Sequence, residues 1–184
     1  MANAIAANHV NHLGKANRDY VCTQPDGTTF TLPRDTIVVI VDVNLKRDRV
    51  VIWWESKRLY SRFTIQTAIN LIITLPERYW TTENTRDRML HVNTDVQTVD
   101  RFGETITYGV KHKGLVSRMS TDGMSFIVNI FHGPDAGRKG VRINVKYGKV
   151  FFQVDVSYVV DPGAPAIARN YGGTFSDLEP VHRW

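Results

Sequence analysis

The sequence has little cysteine, little glutamate and no long apolar run. Cys22 is its single cysteine, which excludes an internal disulfide framework and is typical of a protein in a reducing cytoplasm. No stretch approaches the roughly 18 apolar residues that cross a membrane. The first residues lack the charged start and apolar core of a signal peptide. We therefore expect a cytoplasmic protein with no membrane partner.

Motifs of common enzymes are also missing. The sequence has no Gly-rich phosphate loop, no dinucleotide fingerprint and no Gly-x-Ser-x-Gly elbow. For a metal site only His9 and His12 with Cys22 are candidates, and two histidines three residues apart are a weak basis for one. His91 and His112 lie in strand patterns typical of structural histidines. We thus predict no catalytic residue, no metal, no cofactor and no enzymatic activity. Scattered aspartates leave a metal-dependent nucleic-acid enzyme as an alternative.

Positive charge is what the sequence has in excess. The formal net charge is +5, and 15 arginines outnumber 8 lysines. Arginine presents a planar fork to phosphate and stacks on rings, so a basic, arginine-biased chain favours a polyanionic partner. The acidic residues are 13 aspartates and only 5 glutamates. Short acidic side chains are typical of turn-rich β proteins rather than helical ones.

Strand patterns dominate the chain. The β-branched run at residues 36–43 predicts a central buried strand, and residues 49–54 predict its partner. Turn residues at 25–27 and at 122–123 predict two hairpins. In the second hairpin we expect Met119 opposite Phe126, Ser117 opposite Val128 and Leu115 opposite Ile130. A further strand is predicted over residues 89–99.

One segment has helical periodicity. Residues 61–74 place Ile65, Ala68, Ile69 and Ile72 on one stripe, which predicts a helix that Pro76 stops, with a loop over residues 76–87. The expected fold is a β-rich α+β domain, in which antiparallel hairpins form a curved sheet with this one main helix packed on it. We expect a flexible N-terminal arm over residues 1–18, a single domain over residues 19–160 and an irregular tail over residues 161–184.

Residues 141–160 read as a hairpin around Tyr147-Gly148. Alternation would pair Lys146 with Lys149 and put one set of apolar residues on the core face: Val141, Ile143, Val145, Val150, Phe152 and Val154. The opposite face would carry Arg142, Asn144, Lys146, Lys149, Phe151 and Gln153. Like charges opposed across a strand pair are destabilising, so an anion between the lysines would favour this arrangement. The alternative is a solvated hairpin tip whose lysines prevent edge pairing.

Basic residues interleave with aromatic ones in two stretches, around residues 53–63 and 138–152. Single-strand binders combine a cationic groove with stacking rings. The residues predicted to bind nucleic acid are Arg142, Lys146, Lys149, Phe151, Arg138, Lys139, Arg118, Lys111, Lys113, Trp53, Trp54, Lys57 and Arg58. Ordinary packing of the two tryptophans and solvated strand edges are the alternatives.

In outline, residues 20–160 resemble the RNA-binding proteins that large nucleus-forming bacteriophages place at their protein shell. The features that carry the resemblance are the small basic β-rich chain, the strand at 36–43, the amphipathic segment at 61–74 and the basic hairpin at 138–152. The resemblance implies a Whirly-like nucleic-acid-binding fold, RNA rather than DNA, and the cytoplasm of a host cell. The KGKAAL-like segment of plant Whirly proteins is absent, so the resemblance is one of fold.

Three functions follow from these patterns. The first is a non-catalytic binder of single-stranded RNA or single-stranded DNA, with RNA preferred. The second is a viral structural or assembly protein, because β-rich domains with irregular arms are suited to wrapping neighbours; its partners would be copies of itself in a homo-oligomer, or a phage shell protein. The third is the metal-dependent enzyme described above.

Overall fold

The computed structural model of the chain describes residues 5–24, 26–92, 94–147 and 150–153. This part of the chain is built from antiparallel sheets and two short helices, so the predicted β-rich α+β class is confirmed. Contacts divide it into two compact units, the first ending at Tyr79 and the second beginning at Trp80. The sequence had suggested one domain over residues 19–160. No helix in the described ranges is long and apolar enough to cross a membrane.

The first unit is built on a five-stranded antiparallel sheet. The seven strands of the unit are β1 (His12–Ala16), β2 (Tyr20–Thr23), β3 (Thr29–Leu32), β4 (Ile37–Asn44), β5 (Arg49–Trp54), β6 (Leu59–Phe63) and β7 (Ile72–Arg78). The sheet has the order β6-β5-β4-β1-β7, and β2 pairs with β3 in a separate hairpin. The centre of the sheet is β4, which is buried from Val38 to Val43. The predicted central strand, its partner β5 and the hairpin around residues 25–27 are confirmed.

The N-terminal segment is not an arm. Strand β1 pairs with β4 on one side and with β7 on the other. A Cβ atom added at Gly14 would lie 2.5 Å from Ile72 Cγ2, so β1 packs too closely against its neighbour for a larger residue. The prediction of a flexible arm over residues 1–18 is therefore wrong for this strand, because the polar, small sequence of β1 hides its place inside the sheet.

The predicted helix forms but is shorter. Helix α1 (Ile65–Leu71) begins after Thr64, whose side chain accepts a hydrogen bond from the Thr67 backbone N–H at 3.2 Å. The helix buries Ala68 and Leu71. The chain then continues as β7, which includes Pro76, where a loop was predicted. Proline lacks an N–H donor, and β7 tolerates it because this strand lies at the edge of the sheet.

The second unit holds a second five-stranded antiparallel sheet. The unit contains the short helix α2 (Thr82–Thr85) and seven strands: β8 (Arg88–His91), β9 (Val96–Val99), β10 (Thr105–Tyr108), β11 (Lys113–Met119), β12 (Ser125–His132), β13 (Val141–Asn144) and β14 (Val150–Gln153). The sheet has the order β13-β12-β11-β8-β14, and β9 pairs with β10 separately. The single strand predicted over residues 89–99 is thus two strands, β8 and β9, in different sheets.

The hairpin of β11 and β12 shows a register shift. Met119 pairs with Phe126, as expected, and Arg118 with Ile127, but Val116 pairs with Val128 and Leu115 with Asn129. One irregularity falls at Ser117, where an extra residue moves residues 114–116 by one position, and a second between Gly114 and Lys113 restores the register. The predicted pairs of Ser117 and Leu115 are therefore wrong, because a bulge does not interrupt an apolar sequence pattern.

The hairpin predicted over residues 141–160 does not form. Strand β13 pairs with β12, with Ile143 opposite Phe126, whereas β14 pairs with β8, with Phe152 opposite Met89. The two strands lie at opposite edges of the sheet order. The alternation itself is correct on β13, because Val141 and Ile143 are buried while Arg142 is exposed. Lys149, Val154 and the predicted tail over residues 161–184 lie outside the described residues.

Candidate nucleic-acid interface

The turn between β9 and β10 presents an aromatic ring to solvent. Phe102 is 74% exposed, which is the largest exposure among the big apolar residues of the described chain. The guanidinium carbon of Arg101 lies 4.6 Å from the centroid of this ring, within the range of a cation–π contact. A nucleobase can stack on the exposed ring or on the arginine beside it.

Asp100 fixes the shape of this turn. Its Oδ1 accepts hydrogen bonds from the backbone N–H groups of Phe102 at 2.9 Å and Glu104 at 3.0 Å. Although burial of Asp100 would by itself raise its pKa, these two N–H donors and the charge of Arg138 hold it below the ordinary value. The carboxylate is therefore charged at neutral pH, and Phe102 sits on a turn of defined geometry.

Arg138, predicted to bind nucleic acid, is instead held by carboxylates. Its Nη1 lies 3.2 Å from Asp100 Oδ2 and 3.6 Å from Glu104, and its Nε lies 3.5 Å from Asp135. These three carboxylates bind the Arg138 guanidinium, which we had expected to bind phosphate. Arg138 thus positions the turn of Phe102, and this is a correction to its predicted role.

Two other predicted cations do lie beside the turn. The backbone N–H of Arg101 donates to the carbonyl of Lys139 at 3.2 Å, and the Thr98 hydroxyl donates to the carbonyl of Arg142. Both Lys139 and Arg142 are exposed. The β9–β10 hairpin therefore runs alongside residues 139–142, with the Arg101 backbone against Lys139 and the Thr98 side chain against Arg142.

Arg118 extends this charge across the sheet. It pairs with Ile127 on β12, and Ile127 pairs with Arg142 on its other side. Residues directly opposite on paired strands share one face, so both arginines flank Ile127, and they are exposed although Ile127 between them is buried. We call Arg101, Phe102, Arg118, Lys139 and Arg142 the basic cluster. The sequence analysis missed Arg101 and Phe102. The signal that could have identified them is an aromatic residue next to a glycine in a predicted turn, because a turn residue is usually exposed.

The remaining cations predicted in this unit lie elsewhere. Lys111 is exposed in the turn before β11, and Lys113 pairs with His132 at the end of β11 away from Arg118. Lys146 places its ammonium nitrogen 5.1 Å from the centroid of the Tyr147 ring. Phe151 occupies the register position opposite Leu90 on the far edge strand β14, so the expected grouping of Phe151 with Arg142 is wrong.

The tryptophans of the first unit are mainly packing residues. Trp53 donates from Nε1 to Glu55 Oε1 at 2.5 Å, and its ring centroid lies 4.3 Å from that of Tyr60. Burial, followed by the charge of Glu55, raises the pKa of Tyr60. Trp54 points to the other face, where its ring is 5.8 Å from Phe30. Lys57 and Arg58 are exposed, and Arg58 caps the 3-10 turn Glu55–Lys57 in a left-handed conformation.

His112 and His12 have structural partners. Gly109 N–H donates to His112 Nδ1 at 3.1 Å, which leaves Nε2 to donate to Asp135 at 2.6 Å. His12 Nδ1 contacts the Leu75 carbonyl at 2.8 Å. Cys22 is buried in β2. Within the described ranges no three His, Cys, Asp or Glu side chains are grouped as metal ligands.

Comparisons with known proteins add no relative. No family model, curated protein or solved structure matches this chain. The functional argument therefore depends on the geometry given above.

Proposed function

We propose that the protein is a non-catalytic single-stranded nucleic-acid-binding protein that uses the basic cluster of its second unit. The observation that carries the proposal is the exposed Phe102 ring, which makes a cation–π contact with Arg101 on a hairpin that lies against the exposed residues Lys139 and Arg142. A ring face accepts any base, and exposed arginines and lysines meet phosphates. This combination suits an unpaired strand, whose bases are free to stack.

Rigidity supports the proposal. The Phe102 turn is held by Asp100, and Asp100 is held by Arg138. A ring that is already ordered loses little conformational freedom when a base stacks on it, so more of the stacking energy appears as affinity. Three acidic groups of this region, Asp100, Glu104 and Asp135, each lie within 3.6 Å of Arg138. Arg138 therefore partly neutralises these three carboxylates, which reduces their repulsion of a phosphate bound at the basic cluster.

We propose that the protein binds RNA in preference to DNA, because the chain resembles the phage RNA-binding proteins described above. The test is a fluorescence-anisotropy titration with labelled single-stranded RNA, single-stranded DNA and duplex, at two salt concentrations and without added metal. We expect salt-dependent binding to single strands with the probe intact afterwards. Absence of binding at low salt would overturn the proposal and favour the assembly alternative, whereas cleavage of the probe would favour an enzyme.

A further inference from the structure

The hairpin of β9 and β10 has one edge that no strand of the described residues covers. The two strands form a sheet of their own, in which β9 is the one described strand that pairs with β10. On the β9 side of the hairpin, the Arg101 N–H donates to the Lys139 carbonyl at 3.2 Å. The outer edge of β10 is therefore on the side of the hairpin opposite to residues 139–142.

Thr105 and Thr107 direct their backbone hydrogen-bonding groups to this outer edge. The Asp100 N–H donates to the Glu104 carbonyl at 3.0 Å, so the backbone of Glu104 bonds towards β9. In an antiparallel pair, the backbone groups of successive residues point alternately to the two sides of the strand. Ile106 therefore bonds towards β9, whereas Thr105 and Thr107 each present an N–H and a C=O to the free edge. Both threonines are exposed.

The sequence of β10 does not protect this edge. Edge strands usually carry a charged side chain, a proline or a bulge, which prevents pairing with another chain. The edge strand β7 of the first unit, for comparison, contains Pro76, Glu77 and Arg78. Strand β10 consists of threonine, isoleucine and tyrosine, and it pairs with β9 without a register shift. The edge is thus suited to accept a further strand.

From this arrangement we infer that β10 pairs with β10 of a second copy of the chain, antiparallel and related by a two-fold axis at Ile106. In this register Thr105 of one copy lies opposite Thr107 of the other. Each of the two threonine pairs exchanges two backbone hydrogen bonds, so the contact forms four of them. Opposed threonines are also a favourable side-chain pair in antiparallel sheets. The two hairpins then form one continuous sheet across the dimer.

Charge favours this edge as the place where two copies meet. Each chain carries a formal net charge of +5, so two copies repel each other at most of their surface. One face of the hairpin is formed by Gln97, Val99, Thr105 and Thr107, which are all exposed and uncharged. An antiparallel copy therefore sets no like charges against each other here. None of these four residues belongs to the basic cluster, so the inference does not rest on the function proposed for that cluster.

The test is sedimentation equilibrium of the full chain from about 10 µM to about 1 mM, because a contact of this small size gives weak association. We expect a monomer–dimer equilibrium within this range. Thr107→Pro removes an N–H that points to the free edge and keeps the bonds to β9, so it should weaken the dimer by at least about tenfold. Thr107→Val keeps this N–H and is the matched control, which should dimerise within about threefold of the wild type.

A second pair of variants tests the register without proline. When Thr105→Lys is combined with Thr107→Lys, the new lysines of the two copies oppose each other. When Thr105→Lys is combined with Thr107→Glu, each new lysine faces a new glutamate of the other copy. The first combination should dimerise at least about tenfold more weakly than the second. Circular dichroism and urea unfolding show whether each variant is folded.

The outcomes are distinct. A wild-type dimer that is weakened by Thr107→Pro and by the double-lysine combination, and that is retained in the other two variants, supports the inference. A wild-type chain that is monomeric at every concentration overturns it, and so does equal dimerisation of the two charge combinations. Thr107→Pro should leave single-strand binding unchanged at nanomolar protein, where the chain is monomeric. Failure of the dimer and failure of the proposed function are therefore seen in separate measurements.

Discussion

The guanidinium of Arg138 lies 3.2 Å from the carboxylate of Asp100, and this ion pair connects the loop after β12 to the turn that presents Phe102. The Asp100 side chain of the pair is only 4% exposed, whereas the Arg138 side chain is 34% exposed. A residue selected from the sequence as a phosphate contact therefore has a structural task. The charge of Arg138 holds Asp100, which in turn fixes the turn that carries Phe102. In our proposal the ring of Phe102 stacks on a base.

The first prediction concerns acid stability. The pKa of Asp100 in the folded protein is below its ordinary value of 3.8, so folding favours the charged form. The stabilisation is complete above the unfolded-state pKa and is lost as pH falls through the lower, folded pKa. In urea unfolding at pH 7 and at a series of pH values below 4, Asp100→Asn should be less stable than the wild type at pH 7. The difference should shrink at the acid end. Glu83→Gln, an exposed change in the same unit, should show no such trend; a constant difference for Asp100→Asn would contradict the argument.

The second prediction concerns the exposed ring. Because Phe102 is 74% exposed, Phe102→Ala should change the free energy of unfolding by less than about 0.5 kcal/mol. It should weaken single-strand binding by about 1–3 kcal/mol, the usual contribution of one stacked base. Anisotropy titrations and urea unfolding measure the two quantities. Val110→Ala, which removes another exposed apolar side chain of the same unit, should alter neither; equal binding by both variants and the wild type would rule out Phe102 as a stacking residue.

The third prediction concerns phosphate contacts. Arg142→Ala should weaken binding to different sequences by a similar factor and reduce the slope of log K against log salt by about 0.7–1, the effect of losing one neutralised phosphate on a single strand. Lys111→Ala is the control, because Lys111 lies outside the basic cluster. If Lys111→Ala changed the slope and Arg142→Ala did not, the interface would have to be moved to the other end of β11.

The fourth prediction concerns β1. A side chain at Gly14 would meet Ile72 at 2.5 Å, so Gly14→Ala should destabilise the protein by about 1–3 kcal/mol, as overpacking usually does. Lys15→Ala, at the half-exposed neighbouring position, should have a much smaller effect. Thermal or urea unfolding of both variants tests this. Unchanged stability in Gly14→Ala would be the behaviour of a mobile arm and would contradict the sheet.

Local patterns in the sequence predicted individual strands well. The β-branched run that became β4 and the alternation that buries Val141 and Ile143 both report which face of a strand is buried. Such a pattern does not predict which strand lies beside it. The prediction that β13 and β14 pair with each other is therefore wrong. The pairing is decided by distant residues, here Phe126 for Ile143 and Met89 for Phe152.

The candidate site was predicted only in part. Arg118, Lys139 and Arg142 were identified from their charge. The structure places Arg118 and Arg142 on either side of Ile127, and the hairpin that lies against Lys139 and Arg142 carries a ring that was overlooked. Charge alone did not distinguish Arg142, which is exposed, from Arg138, which has three carboxylate partners. Those partners come from residues 3 to 38 positions away along the chain, a relationship that folding creates and that a linear pattern does not contain.

The position of β14 beside β8 has a consequence for how the protein is made on the ribosome. β8 is complete at His91, but its outer neighbour begins only at Val150. During synthesis, and in any product that terminates before residue 150, the outer edge of β8 would have no partner strand from β14. Unpaired edges of this kind recruit strands from other chains. Premature termination after β8 but before residue 150 should therefore yield aggregated rather than merely shortened protein.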